Sequence, residues 1–291
     1  MAEFAVRDLS PALGAEVEGV DLSSELDGDT IQRLRQLFDD RSVLVFRDVE
    51  LDDDDQAYLA GLLVGREAPR DRGSAIDNAV VYKEHYSNKE EGGYAPTGRL
   101  LYHSDSMWAE TPSELLSLYG VKVGQPSVPT TWVSTAYAWT SLPDQLRKRI
   151  EGLEVEHMTG QQPRGNEAEM LKAVHEETRS VVTPIAKPHP RTGRPLLFAS
   201  EMATSRILGM TREDSEDLLQ ELFTHLYNDP ENFYQHEWRQ HDLVIWDNVA
   251  TQHGRPNLTR EGAERTLRKV IAPVPTHHMA KPSFVDTAAS S

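Results

Sequence analysis

The sequence predicts a mainly β protein, either a sandwich or a jelly roll, with a few helices flanking the β core. Short runs rich in β-branched and aromatic residues recur along the chain, separated by Gly, Pro and Asp. Helical periodicity is confined to a few segments, and no G-x-G-x-x-G sequence follows a strand, which argues against a Rossmann-type βαβ arrangement. The predicted strands are 42–46, 79–82, 100–103, 115–123, 131–134, 181–185, 196–198, 243–246 and 267–271.

Four helices are predicted beside these strands. The clearest begins after Thr211, because an acidic residue stands three positions later and apolar residues then recur with helical spacing. Asp29 and Thr30 are expected to cap an N-terminal helix, and the acidic cluster 52–55 suits the positive end of the next one. Pro143 is expected to start or kink the fourth helix.

The charge balance limits the partners of the protein. The 291 residues include 30 Lys and Arg against 47 Asp and Glu, a formal net charge of −17. Such a surface repels phosphate backbones and anionic lipids, so neither nucleic acid nor a membrane is an expected partner. No run approaches the roughly 18 apolar residues of a membrane span, and the first residues lack the order of a signal peptide. We expect a cytoplasmic protein whose partner is a small molecule.

The organisation of the chain and its cysteine content restrict the possible sites. No linker or repeat interrupts residues 5–275, so one domain is expected over 1–275, followed by a small polar tail over 276–291. The sequence contains no cysteine, which excludes disulfides, thiolate zinc sites, iron–sulfur clusters and a cysteine nucleophile. Any bound metal must therefore take histidine and carboxylate ligands.

A histidine and a carboxylate stand two residues apart, at His103 and Asp105, where a predicted strand ends. Alternation along the strand points both side chains to one face. Imidazole and carboxylate together suit a non-haem iron site, in which a further histidine completes a facial set of three ligands. A surface histidine near a capping aspartate gives the same pattern, so this motif alone leaves both interpretations open.

A second candidate feature follows the strand 243–246. His253 comes shortly after it, and Arg265 stands twelve residues further along. A returning strand would bring the guanidinium of Arg265 beside a metal, where it can bind a carboxylate through two parallel hydrogen bonds. This pairing suggests a co-substrate that chelates the metal at one end and carries a carboxylate at the other. A structural histidine and a surface arginine are the alternative when each is taken singly.

Further motifs stand in order along nearly the whole chain. They are 13–22, Val43-Leu-Val-Phe-Arg47, His103-Ser-Asp105, Thr131 before Trp-Val-Ser, His189-Pro190 with Gly193-Arg194 and the strand 196–198, Trp246-Asp-Asn248 with Gln252-His253, and Arg265-Thr-Leu. In this order and at these separations they resemble the taurine dioxygenase and 2,4-dichlorophenoxyacetate dioxygenase family of iron(II)- and 2-oxoglutarate-dependent oxygenases. Several ordered motifs at matching separations are more specific than any one of them.

The resemblance implies a double-stranded β-helix, the cupin-like jelly roll, with helices outside it. It implies that His103, Asp105 and His253 bind Fe(II), and that Arg265 and the hydroxyl of Thr131 hold the distal carboxylate of 2-oxoglutarate. With O2 as the other co-substrate, the products would be succinate, CO2 and, most simply, a hydroxylated substrate. The halogenating branch of such enzymes has a small residue at the carboxylate position, so the presence of Asp105 disfavours it.

The resemblance also suggests residues that bind the substrate. Lys269 stands where the family often has a second arginine for the substrate anion, and an ammonium lacks the two-pronged geometry of a guanidinium, so taurine itself is a doubtful substrate. Strand alternation gives Arg265 and Lys269 the same face. Arg99 stands at a lid position of the family, and the segment before it, with Tyr82, Lys83, His85 and Tyr86, suits either a mobile lid or an ordinary surface loop. Together, Arg99 and Lys269 predict a small substrate with an acidic group.

Two further expectations concern the pocket wall and the assembly. The stretch 202–206, which follows the strand 196–198, is another candidate for lining the pocket. Relatives in the family often form dimers or tetramers, so the resemblance implies a homo-oligomer.

Three classes of function are compatible with these residues. The first is the oxygenase, whose reaction can also be desaturation, ring closure, bond cleavage or oxidative decarboxylation. The second is a catalytically silent metal-binding jelly roll that serves as a ligand sensor. The third is a hydrolase that holds zinc with the same three ligands, and it gives no role to Arg265 and Thr131. Oxygen-dependent formation of succinate separates the first class from the other two.

Overall fold

The computed structural model describes residues 4–65, 73, 82–90, 97–160, 174–276 and 282. Its strands are β1 Ala5–Asp8, β2 Ala15–Glu18, β3 Val43–Phe46, β4 Tyr82–Ser87, β5 Gly98–His103, β6 Leu115–Val123, β7 Thr130–Ser134, β8 Glu154–Met158, β9 Ser180–Pro184, β10 Ala186–Pro188, β11 Pro195–Leu197, β12 Thr204–Ile207, β13 Tyr234–His236, β14 Leu243–Asp247, β15 Thr251–Leu258 and β16 Arg265–Ala272. Its α-helices are α1 Gly28–Arg41, α2 Asp53–Val64, α3 Thr135–Ser141, α4 Asp144–Ile150 and α5 Arg212–Tyr227.

Two facing β-sheets form the centre of the molecule. The larger has the strand order β1-β2-β3-β14-β6-β16-β4, and the smaller has the order β13-β7-β15-β5. Trp132 of the smaller sheet and Trp246 of the larger one pack edge to face between them, with ring centroids 5.4 Å apart. Apart from the parallel β2–β3 pair, the strands of both sheets pair antiparallel, and facing sheets of this kind form the predicted jelly roll, the double-stranded β-helix.

The strand β14 shows why a strand at the centre of the larger sheet is a continuous apolar run in the sequence. Val244 and Trp246 point into the core between the sheets, whereas Leu243 and Ile245 pack on the other face against helices α1 and α2. Each face of the larger sheet is therefore covered, and the alternation of apolar and polar residues that marks a half-exposed strand is lost.

The predicted helices are present, with one correction at a helix start. Thr211 caps α5, and Pro143 immediately precedes α4. Asp52 caps α2, whose first turn is acidic, as the cluster 52–55 predicts. Helix α1 begins earlier than predicted, because Asp27 rather than Asp29 accepts the backbone N–H of Thr30, at 2.8 Å. No helix within the described part of the chain is long and apolar enough to cross a membrane.

Some strands that the sequence did not predict prove important for the site. The strand β15 contains Gln, His, Gly, Arg, Pro and Asn, so it lacks an apolar run, yet its first five residues are buried. In the three-stranded sheet β12-β8-β9, β9 matches the predicted strand 181–185, whereas β8 and β12 were not predicted. Of the predicted strand 79–82, only Tyr82 falls within the described residues, and of the tail only residues 276 and 282 do.

Candidate active site

The three candidate metal ligands converge on neighbouring strands of the smaller sheet. The strands β5 and β15 are paired antiparallel with His103 opposite His253, and Asp105 follows two residues after the end of β5. The Nε2 atom of His103 lies 3.1 Å from Oδ1 of Asp105, and that of His253 lies 3.7 Å from the same oxygen. One ligand atom from each residue lies within 4.8 Å of the other two, so a single ion can reach all three.

The hydrogen bonding of the histidines suits metal binding. Nδ1 of His103 donates to the carbonyl of Leu101 at 2.8 Å, so the lone pair of the neutral ring is on Nε2, which faces Asp105. Burial, together with the charge of His103, holds the pKa of His253 well below its usual range. A neutral imidazole is the form that binds a metal.

Asp105 supplies the one negative charge among these ligands. Its burial favours the neutral acid, but the ammonium of Lys269 and both imidazoles outweigh burial and hold the pKa of the carboxyl well below its usual range. Oδ2 contacts Nζ of Lys269, whereas Oδ1 faces the two histidines. Two imidazoles and one carboxylate that converge in this way fit Fe(II) with positions left for other ligands.

A cavity of about 90 Å³, here called the sheet cavity, lies beside these ligands between the two sheets. All three ligands line it, together with side chains from β4, β6, β7, β14 and β16. Arg265 lies in its wall with only 6 % of its surface exposed. Nη2 of Arg265 donates to the hydroxyl of Thr130 at 2.8 Å, and its Nε is buried with no hydrogen-bond acceptor among the described residues.

Arg265 has the properties of an anion-binding residue. Burial, together with the charge of Arg255, lowers the pKa of Arg265 to about 9. Within the described ranges no carboxylate forms an ion pair with this guanidinium. A buried charge is costly unless it is paired, so the site is suited to a ligand that brings a carboxylate.

The sequence predicts that the hydroxyl of Thr131 lies beside Arg265, but the hydroxyl found there belongs to Thr130. Thr130 Oγ1 accepts from Nη2 of Arg265 and from Nε1 of Trp238, the latter at 2.9 Å, which leaves its own proton to be donated. Thr131 is the next residue on β7, so its side chain points to the opposite face and donates to the carbonyl of Gly254 at 3.2 Å.

A second cavity, of about 240 Å³ and here called the loop cavity, shares His103 and Asp105 with the sheet cavity. Lys269 lines both cavities. Most of the remaining wall comes from turns that follow strands, including Met202 and Ala203 of the predicted stretch 202–206. The other lining residues are Ser104, Ser106, Trp108, Met158 and Gly160.

Of the candidate lid residues whose side chains the structure describes, Tyr86 lines a cavity, whereas Arg99 and His85 do not. Arg99 is exposed, and its neighbour Leu100 lines the sheet cavity instead. His85 is exposed and pairs with Arg268 across the strands, whereas the next residue, Tyr86, lines the sheet cavity. The side chain of Tyr82 lies outside the described residues.

Two polar residues that line the sheet cavity, Thr130 and Arg255, were not among the candidates from the sequence. Strand alternation could have found Arg255, which stands two residues after His253. Arg255 is buried, and burial lowers its pKa to about 10.

Comparison with known proteins agrees with this geometry. The chain is 30% identical over 263 residues to an alkylsulfatase of Acinetobacter baylyi, a match that covers 86% of this chain and 79% of that one. It is 27% identical over 279 residues to the alpha-ketoglutarate-dependent 2,4-dichlorophenoxyacetate dioxygenase of Cupriavidus pinatubonensis, covering 90% and 94% of the two chains. The crystal structure of AAD-2 in complex with Mn(II) and N-oxalylglycine has the same fold, with a TM-score of 0.73 at 24% identity and coverage of 95% and 99%.

A family model spans almost the entire described fold. The taurine catabolism dioxygenase TauD, TfdA family matches residues 5–271, a range that contains both cavities and all three candidate metal ligands. The chain therefore belongs to the TauD/TfdA family of 2-oxoglutarate-dependent dioxygenases, which use Fe(II) and O2.

Proposed function

We propose that this dioxygenase hydroxylates a small organic molecule that joins an acidic group to an apolar body. The balanced reaction is R–H + 2-oxoglutarate + O2 → R–OH + succinate + CO2. The observation that carries the proposal is that one cavity holds three convergent metal ligands and a buried guanidinium without a carboxylate partner among the described residues. An oxo acid with a distal carboxylate satisfies both halves of that cavity.

His103, Asp105 and His253 are the proposed Fe(II) ligands. When bound, the metal together with 2-oxoglutarate and O2 supplies the oxidation of a substrate C–H bond. The protein's own contribution is orientation: the carbonyl of Leu101 fixes the tautomer of His103, and Lys269 holds the second oxygen of Asp105. Both effects keep the metal-facing atoms of these side chains in place before any ligand arrives.

The sheet cavity is the proposed site of 2-oxoglutarate. Arg265 would bind its distal carboxylate through a charge-assisted hydrogen bond from the buried Nε, and the hydroxyl proton of Thr130 would be donated to the same carboxylate. The same-fold protein AAD-2 binds N-oxalylglycine, which is also an oxo acid with a second carboxylate, and this supports the assignment.

The loop cavity is the proposed site of the substrate. Met158, Met202 and Trp108 offer an apolar wall, and Lys269 is the cation that lines it among the described residues. An ammonium has three donors, so Lys269 can pair with a substrate anion while it keeps its contact with Asp105. The alkylsulfatase and the 2,4-dichlorophenoxyacetate dioxygenase are named for compounds that carry an anionic group, which supports the same class here.

The test is an aerobic assay with Fe(II) and 2-oxoglutarate on a panel of alkyl sulfates, aryloxyacetates, alkyl carboxylates and neutral compounds of matched size. We expect succinate release and O2 consumption to rise together for some of the acidic compounds, with one hydroxylated product formed per succinate. Stimulation by the neutral compounds alone would contradict the proposed substrate class.

A substitution of Lys269 tests the substrate site, and the same substitution of Arg99 is its matched control. Lys269→Met should lose the stimulation by acidic compounds, because the loop cavity then has no cation among its described residues. Arg99→Met should keep it, because Arg99 is exposed and lines neither cavity. Equal losses in the two variants would remove Lys269 from the substrate site.

A further inference from the structure

Three buried asparagines bind the protein backbone in nearly the same way. Asn88, Asn232 and Asn248 are each at most 1 % exposed, and each uses its side-chain oxygen to accept a backbone N–H and its amide group to donate to two carbonyls. A fully satisfied buried amide holds the segments that it joins in one arrangement. What differs is the residue that each asparagine holds.

Asn248 holds the backbone of a proposed metal ligand. Its Oδ1 accepts the N–H of Asp105 at 2.8 Å, and its Nδ2 donates to the carbonyl of Asp105 at 2.8 Å and to that of Ser113 at 2.9 Å. Asp105 lies beyond the end of β5, so no strand pairing fixes it, and the next residue, Ser106, has a φ of 58°. The side chain of Asn248 therefore replaces the strand partner that Asp105 lacks.

Asn88 holds the backbone of the proposed co-substrate anchor. Its Oδ1 accepts the N–H of Arg265 at 2.9 Å, and its Nδ2 donates to the carbonyls of Thr259 and Ala263 at 2.8 and 3.0 Å. Arg265 is the first residue of β16, where a strand is most easily frayed. Asn88 closes the β15–β16 turn against this end of the strand.

Asn232 makes the same set of bonds away from both cavities. It accepts the N–H of Ser134 at 2.8 Å and donates to the carbonyls of Ser134 and Leu226, both at 3.1 Å. Ser134 lines neither cavity and caps helix α3. Asn232 is therefore an internal control for the structural cost of losing such a side chain.

We propose that Asn248 and Asn88 are separate positioning residues, the first for the metal-facing carboxylate of Asp105 and the second for the guanidinium of Arg265. This inference rests on the proposed metal and 2-oxoglutarate sites. It goes further because it assigns a different effect to each asparagine. Asn248 increases metal affinity, and Asn88 increases co-substrate affinity at saturating metal.

The test measures both affinities in three full-length variants. The Kd of Mn(II) is taken from the electron paramagnetic resonance signal of the free ion, and the Kd of 2-oxoglutarate from the visible charge-transfer band with saturating Fe(II) under anaerobic conditions. Asn248→Ala should weaken Mn(II) binding about 10–100-fold, the usual effect of losing an outer hydrogen bond to a metal ligand, with 2-oxoglutarate affinity within about twofold.

Asn88→Ala should show the opposite pattern. The Kd of 2-oxoglutarate should rise roughly tenfold, as for the loss of one hydrogen bond to a charged group, with Mn(II) affinity within about twofold. Asn232→Ala should leave both affinities within about twofold, because it removes the same kinds of bond elsewhere. A general loosening of the fold would instead shift all three variants alike, and that result overturns the proposal.

The outcomes also separate this inference from the proposed function. Failure of the wild-type protein to bind Mn(II) overturns the metal site and the positioning roles together. Wild-type binding with unchanged affinities in all variants overturns the positioning roles alone. If an alanine variant does not fold by circular dichroism, the three Asn→Leu variants replace it; they nearly keep the volume but lose both the oxygen acceptor and the donors, and unchanged affinities in folded Leu variants overturn the proposal equally.

Discussion

The two cavities that meet at His103 and Asp105 are built differently. Apart from Asp105, the side chains of the sheet cavity stand on strands, so the alternation of each strand decides which of them point inward. The loop cavity is lined mostly by turn residues, such as Ser106, Trp108 and Met202. A strand fixes the direction of its side chains through its neighbours in the sheet, whereas the direction of a turn residue depends on the particular turn.

This difference matches the proposed roles of the two cavities, one for the co-substrate and one for the substrate. The sheet cavity is proposed to bind a co-substrate that all members of the family share, and its rigid strands suit a constant ligand. The loop cavity is proposed to bind the substrate, for which turns can vary without disturbing the sheets. Asp105 and Lys269 line both cavities and connect the two parts.

Removing Asp105, one of the two proposed metal ligands that line both cavities, should have the largest effect, because it acts on both cavities at once. Asp105→Ala removes the one carboxylate among the ligands and leaves Lys269 without its partner. We expect the Mn(II) affinity to fall by more than the roughly 10–100-fold that an outer hydrogen bond contributes, and turnover to disappear. Succinate release by the variant at ordinary iron concentrations would show that Asp105 is not a ligand.

Filling the loop cavity should separate the two sites. Met202→Trp places a larger side chain in the wall of that cavity only. An overlap of about 2 kcal/mol would raise the KM of an acidic substrate roughly 30-fold, while the Kd of 2-oxoglutarate stays within about twofold. Steady-state kinetics and the anaerobic titration measure the two constants. A parallel rise in both would mean that the cavities are not independent.

Two adjacent threonines on β7 point to opposite faces of the strand, so their variants test which of the two binds in the sheet cavity. Thr130→Val removes the hydroxyl that accepts from Arg265, and it should raise the Kd of 2-oxoglutarate roughly tenfold through the loss of one hydrogen bond to a charged group. Thr131→Val, the matched control, should leave that Kd unchanged because Thr131 faces Gly254. The reverse ranking would favour the residue suggested by the family motif.

A buried histidine in the sheet β12-β8-β9, which contributes to the wall of the loop cavity, should make the stability of the protein sensitive to acid. His157 on β8, next to Met158, is fully buried between Thr204 and Thr183, and burial lowers its pKa to about 3. In the unfolded chain its pKa is near 6.5, so the unfolded state takes up a proton first. The contribution of His157 to stability is therefore complete above pH 6.5 and is lost as the pH falls toward 3.

His157→Gln isolates this effect. Over that range the wild-type free energy of unfolding should fall by up to about 1.4 kcal/mol per pH unit more steeply than that of the variant. Urea unfolding at a series of pH values measures both slopes. Parallel slopes would show that His157 is not the source of the acid sensitivity.

The contrast between strand residues and turn residues also explains which parts of the molecule could be predicted from the sequence. The strand β14 was predicted from its continuous apolar run and helix α5 from its strong apolar periodicity, and Lys269 was placed inward by alternation from Arg265. Thr131 was chosen from its place in a motif rather than from alternation on β7, which the structure shows to favour Thr130. Arg99 and His85 were candidates for a lid, and the structure shows both side chains exposed.

The remaining features depend on contacts between distant segments. The strand β15 has a polar sequence because it lines the site, so its composition hides it from periodicity. Asn248 and Asn88 bind residues 143 and 177 positions away in the chain, and no local pattern indicates such partners.

The most direct test of the account asks whether Arg265 recognises a distal carboxylate in the sheet cavity. It is an anaerobic titration of the Fe(II)-loaded wild-type protein and of Arg265→Ala with 2-oxoglutarate and with 2-oxopentanoate, which has the same chain length but no distal carboxylate. We predict that the wild type prefers 2-oxoglutarate about 100-fold, as for two charge-assisted hydrogen bonds, and that the variant has lost this preference. A variant that still prefers 2-oxoglutarate as strongly as the wild type would contradict the assignment of this cavity.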